Sequence, residues 1–141
     1  MELMASIRFK IVTPERTVVE EEIYQITLPV EGGEVTLLPD HVPYIGAITA
    51  GEIVLRKTIG GEEESLATSG GFVEFHDNTL VILADTAERA EEIDLARAEQ
   101  AKVRAEDRLK RFDDPQVDME RARKALVRAI VRLETAHKQQ G

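Results

Sequence analysis

No cysteine occurs among the 141 residues. Its absence excludes disulfides, thiolate nucleophiles and Cys-ligated zinc or iron–sulfur sites, and it fits a reducing cytoplasm. Basic side chains are also short: 18 Lys and Arg stand against 27 Asp and Glu, a net charge of −9. Such a surface repels phosphate backbones, so nucleic acid is not expected as a partner. Missing too is any apolar run near the roughly 20 residues that span a bilayer. The stretch Met1-Glu2-Leu3-Met4-Ala5-Ser6 lacks the charged-then-apolar pattern of a secretion signal, so neither a membrane span nor export is expected. What is present, 43% apolar residues, suffices for a buried core.

Glycine and proline are nearly absent from one half. Eight of nine glycines and four of five prolines precede residue 86, and Pro115 is the lone proline beyond it. Charge divides at the same place: residues 1–86 carry 5 basic and 15 acidic side chains, residues 87–141 carry 13 and 12. We therefore expect two domains, 1–86 and 87–141, with the boundary near Thr86–Glu92.

In the first half Ile7, Phe9 and Ile11 alternate with polar neighbours, as do Tyr24, Ile26 and Leu28, then Ile53 and Leu55, then Val73 and Phe75. Period 2 is the pattern of strands with one buried face. Turn pairs recur at short spacing, among them Gly32-Gly33, Pro39-Asp40, Gly60-Gly61 and Asp77-Asn78. Short strands with short connections predict antiparallel pairing, since parallel strands need long crossovers. A sandwich or flattened barrel of about eight to ten strands follows.

The second half is rich in Ala, Arg, Glu and Leu, which favour helix. Leu95, Ala98, Ala105, Leu109 and Phe112 share one helical face; Met119, Ala122, Leu126, Ala129, Ile130 and Leu133 share another. Asp94 is placed to cap the first helix, and Asp114-Pro115 to start the second. The short segment Arg111-Phe112-Asp113-Asp114 between them predicts an antiparallel hairpin, weakly docked because alanine buries little area.

Catalytic constellations are lacking. His41, His76 and His137 are scattered without a second ligand at helical or hairpin spacing, so no metal site is expected. No phosphate-cradling glycine loop occurs, and Glu20-Glu21-Glu22 and Glu62-Glu63-Glu64 read as solvated edges. Arginine spacing says more. Arg97, Arg104, Arg108 and Arg111 form one helical row, and Arg121, Arg128 and Arg132 form another. Both rows are displaced in the same sense from their apolar stripes, so an antiparallel hairpin carries them on one flank. Two readings stay open. The rows are solvated faces partnered by Glu99, Glu106, Asp107 and Glu120, or they grip a polyphosphate by charge-assisted bonds. A ligand bridging both helices would stabilise the closed hairpin by mass action.

The run Val30-Glu31-Gly32-Gly33-Glu34-Val35-Thr36-Leu37-Leu38-Pro39-Asp40-His41-Val42-Pro43, then Gly51-Glu52 and Gly70-Gly71-Phe72-Val73-Glu74, resembles the epsilon subunits of the rotary proton-translocating ATP synthase. The resemblance spans the chain and implies a ten-stranded antiparallel β-sandwich followed by a two-helix hairpin. It further implies a non-catalytic central-stalk subunit, peripheral on the cytoplasmic face of the bacterial cell membrane. Its implied partners are the gamma subunit, the c-subunit ring and, with the hairpin extended, the alpha/beta catalytic head, where ATP hydrolysis is restrained. Ile93-Asp94-Leu95-Ala96-Arg97-Ala98 resembles the motif of ATP-binding members of this family. Glu88, Ile93, Asp94, Arg97, Ala98, Arg104, Arg128 and Arg132 are the implied ATP-binding residues, the last two across a one-residue insertion between the helices. ATP is then a regulatory ligand rather than a cofactor, and the resemblance fixes no requirement for magnesium. The alternative is a purely structural stalk subunit that binds no nucleotide.

Overall fold

The computed structural model describes residues 5–140, with side chains to residue 138. Most of the N-terminal stretch read for a secretion signal, residues 1–4, lies outside these. Ten strands precede two helices. They are β1 (Ile7–Val12), β2 (Thr17–Ile23), β3 (Gln25–Val30), β4 (Gly33–Leu37), β5 (Tyr44–Ile48), β6 (Gly51–Arg56), β7 (Glu63–Thr68), β8 (Gly71–His76), β9 (Thr79–Ala84) and β10 (Ala87–Arg89). A 3-10 turn at Ala90–Glu92 leads to α1 (Leu95–Leu109) and α2 (Met119–Gln140).

The strands form two five-stranded sheets, ordered β2-β1-β9-β8-β5 and β10-β7-β6-β3-β4. Their inner faces meet in one core, in which Ile7, Phe9, Ile11, Ile26, Leu28, Ile53, Phe75 and Ile82 are buried. The period-2 residues thus do bury, because alternate side chains of a strand point to one face, except Tyr24, which lies half-buried at the bend between β2 and β3. Pairing departs from expectation at one place: β1 runs parallel to β9, Phe9 opposite Leu80. The seven intervening strands, shuttling between sheets, serve as the long crossover that a parallel pair requires. The β3–β4 hairpin turns through Gly32 at φ 84°, a left-handed value that glycine adopts without steric cost. Strand β10 lies beyond residue 86, so the second sheet continues to Arg89 before the helical part begins.

Helix α1 starts where Asp94 Oδ1 accepts the Arg97 amide at 3.1 Å. The start of α2 differs from expectation. Asp114 instead closes a turn, accepting the Gln116 amide at 2.9 Å, and α2 begins four residues later than Pro115. There Asp118 Oδ1 takes the Arg121 amide at 3.0 Å. An aspartate followed by proline serves a turn as well as a helix start, so the dipeptide alone does not choose. Phe112, assigned to the α1 stripe, lies past the helix end and is 78% exposed.

The hairpin is antiparallel: Ile93, Leu95 and Ala98 at the start of α1 cluster with Val131, Leu133 and Ala136 near the end of α2. The same cluster takes in Ala67, on the outer face of β7. Leu66 points into the sandwich core while Ala67 points out, so this strand is covered on both faces. The hairpin therefore rests on the outer face of the second sheet through the last turns of α2. Two ion pairs add to the apolar contact, Arg132 with Glu88 and Lys138 with Glu52.

Candidate functional site

Glu88 lies opposite Ala67 in the β10–β7 ladder and so projects from the same outer face toward the hairpin. Arg132, about two helical turns from the C-terminal end of α2, meets it: Arg132 Nε is 2.7 Å from Glu88 Oε1, and the terminal amino group donates to Oε2 at 3.1 Å. Only the terminal amino group makes a hydrogen bond; Nε lies at ion-pairing distance but has no hydrogen-bond partner. This pair forms one wall of a cavity of about 240 Å³ between hairpin and sandwich. Four alanines, Ala67 from β7, Ala101 from α1 and Ala125 and Ala129 from α2, form much of the rest, with the hydroxyl residues Thr68, Ser69 and Thr86, Val131, and Arg128. Short side chains at the alanine positions leave the space that larger ones would fill.

The eight residues implied for nucleotide binding divide into three groups. Glu88, Arg128 and Arg132 line the cavity together. Ile93 and Ala98 are buried in the cluster that joins the hairpin to the sandwich, and Asp94 caps α1 beside them. Arg97 and Arg104 are exposed on α1 and do not line the cavity. They stand four residues before and three after Ala101, the α1 residue that does, and so share its helical face. Three of the eight residues thus line the cavity, whereas Arg104 lines a separate shallow depression on α1 with Ala96, Glu99, Gln100 and Val103.

Of the row arginines, Arg111 has one of the carboxylates named for a solvated face and Arg132 pairs with Glu88. Asp107 pairs with Arg111 at 2.8 Å, and Glu120 pairs with Arg123, which belongs to neither row. Among the described residues Arg97, Arg104, Arg108, Arg121 and Arg128 have no carboxylate at ion-pairing distance, and neither Glu99 nor Glu106 engages an arginine. Like charges held on one flank repel unless an anion neutralises them. The cavity walls Thr68, Ser69 and Thr86 went unread in the sequence, since hydroxyl residues at strand ends carry no periodic signal.

Further out, Lys138 Nζ donates to Glu52 Oε1 at 2.8 Å, and Ser65 donates to the same oxygen at 3.2 Å. The hydrogen bond and the negative charge of Glu52 raise the Lys138 pKa above its ordinary value. Elsewhere the outer face of the first sheet carries an uncovered apolar patch: Phe72 pairs across to Leu83, and Ile45 stands nearby, all more than half exposed. No group of three or more metal-binding side chains occurs among the described residues, and no helix among them is long and apolar enough to cross a membrane.

Residues 6–90 match the β-sandwich domain of the ATP synthase delta/epsilon chain, and residues 91–137 match its long α-helix domain. The chain is 47% identical over 127 residues to the ATP synthase epsilon chain of Desulfitobacterium hafniense, covering 90% of this chain and 93% of that one. It is 46% identical over 135 residues to the epsilon chain of Dehalococcoides mccartyi, covering 96% and 95%. Among solved structures, a chain of the Euglena gracilis mitochondrial ATP synthase superposes with a TM-score of 0.77 at 21% identity, covering 100% of this chain and 85% of that one. A chain of the Tetrahymena thermophila enzyme's central stalk and c-ring gives 0.58 at 15%, covering 94% and 99%.

Proposed function

The chain belongs to the delta/epsilon family of ATP synthase, as an epsilon chain, and from that premise we propose how it works. It is a non-catalytic subunit of the rotating central stalk, peripheral at the cytoplasmic face of the bacterial membrane, and it couples proton flow to ATP synthesis made on other subunits. The sandwich attaches to the gamma subunit and the c-subunit ring; the patch around Phe72 and Leu83 supports this, because exposed apolar area of that kind marks association surfaces. The hairpin is a sensor. Folded on the sandwich it binds ATP; released, it extends toward the alpha/beta head and restrains hydrolysis.

The observation that carries the sensor reading is the set of arginines without an ion-pairing carboxylate among the described residues, Arg128 in the cavity wall and Arg97 and Arg104 exposed on α1. A polyphosphate between the helices would take charge-assisted bonds from both and favour the folded hairpin by its differential affinity. The cluster that docks the hairpin is small and built largely from alanine, so a ligand of modest affinity shifts the equilibrium. Calorimetric titration of the isolated chain with ATP tests this: we expect binding heat, abolished in Arg97→Glu with the sandwich still folded. The absence of heat at millimolar ATP favours the alternative, a structural stalk subunit whose exposed Arg97 and Arg104 meet acidic surfaces of the head.

A further inference from the structure

Four polar residues are buried among the described ones: Thr13, Ser65, Thr68 and Thr135. The three in the sandwich are satisfied. Thr13 donates to the Arg16 carbonyl, Ser65 to Glu52 and Thr68 to the Thr86 carbonyl. Thr135, on α2, is 0% exposed, yet its hydroxyl has no hydrogen-bond partner. A helical threonine ordinarily turns that group back onto a carbonyl three or four residues earlier, and here it does not. It stands in the stretch that docks the hairpin, between Leu133 and Ala136 of the cluster that reaches Ala67. On the opposing sheet face the polar side chains are already engaged: Ser65 and Lys138 both donate to Glu52, and Arg132 pairs with Glu88. Arg132 Nε, three residues before Thr135, is likewise buried without a hydrogen bond. Two polar groups about one turn apart on α2 therefore leave water without full compensation when the hairpin lies on the sandwich. Release returns both to water, so the cost falls on the docked state alone.

We propose that Thr135 is a weakness built into the docking face, whose unmet hydroxyl raises the free energy of the docked hairpin and sets how readily it is released. This rests on the release half of the reading above and is independent of nucleotide. A residue that only fills space there would hold the hairpin down, and replacing it would loosen the contact. Thr135 acts with the opposite sign. A valine of nearly the same shape fills the same volume without an unsatisfied polar atom, so it tightens docking.

The test is amide hydrogen exchange of the full chain, read at Ala98 and Ala129 in the hairpin and at Phe9 and Phe75 in the sandwich core. In the unaltered chain the hairpin amides exchange faster than the core, because the hairpin opens on its own. Thr135→Val slows the hairpin amides about tenfold, the factor for one unmet buried hydroxyl, and leaves the core unchanged. Thr135→Ser keeps the hydroxyl and loses the methyl group, and it speeds them. Thr68→Val, at a buried threonine whose hydroxyl is bonded, speeds exchange in the core instead, which separates the effect at Thr135 from a general gain of valine over threonine. If Thr135→Val leaves hairpin exchange unchanged or speeds it, or if Thr68→Val slows core exchange by the same factor, the proposal is wrong and the release reading stands without it. Hairpin amides that exchange only as slowly as Phe9 and Phe75 in the unaltered chain overturn both.

Discussion

At Asp118 one carboxylate oxygen accepts the Arg121 amide, whereas at Asp114 the same chemistry closes only a turn. Loss of an N-cap costs about 1 kcal/mol. Asp118→Ala should therefore lower the helical circular dichroism and the thermal stability of the hairpin by more than Asp114→Ala does. Equal effects would mean that α2 begins at Pro115 after all. Gly71 is a different single-residue constraint. It lies opposite Ala84 in the β8–β9 ladder, where an added Cβ would run into the Leu83 carbonyl and come within 2.8 Å of the Ala84 Cα. The obstacle is backbone, which cannot rotate aside, so Gly71→Ala should destabilise the sandwich by about 3 kcal/mol in denaturant unfolding.

Among the elements, the last turns of α2 do most to hold the hairpin down. Lys138 is 61% exposed, so its pair with Glu52 is worth at most about 1 kcal/mol. Lys138→Met should speed amide exchange at Ala98 and Ala129, a difference that shrinks at high salt and disappears in a Glu52→Gln background. The pH dependence has a fixed sign. The folded-state pKa of Lys138 is raised, chiefly by its hydrogen bond to Glu52 and the negative charge there. Its contribution is thus complete below the ordinary lysine value of about 10.4 and is lost as pH climbs through the raised one. At element scale much of this was readable. The alternation of Ile7, Phe9 and Ile11 and the face shared by Ala98 and Ala105 survive because they obey the period of their own backbone. Phe112 was misread because a stripe says nothing about where the helix stops. The β1–β9 pairing joins residues distant in sequence, and no local pattern encodes it. The site divides in the same way: helical spacing gives the arginine rows, whereas Glu88 meeting Arg132 needs the sandwich and the hairpin to be brought together.

For the molecule as a whole, two apolar clusters matter, and they share no residue. The sandwich core runs from Ile7 to Ala87, whereas the smaller cluster joins Ala67 to the hairpin. Ending the chain after residue 90 should leave a sandwich that unfolds cooperatively, its midpoint lowered by no more than about 5 °C, the shift for roughly 1 kcal/mol in a domain of that size. Loss of the transition would mean that the hairpin is integral to the core. The exposed patch of the first sheet and the hairpin on the second lie on opposite outer faces, so attachment and sensing need not compete for surface. The parallel pairing of β1 with β9 carries a consequence for biosynthesis. The first strand to leave the ribosome waits for nearly the entire sandwich before it gains its second neighbour, and closing so long a segment is slow. The hairpin emerges later still, after the sandwich surface on which it folds is complete.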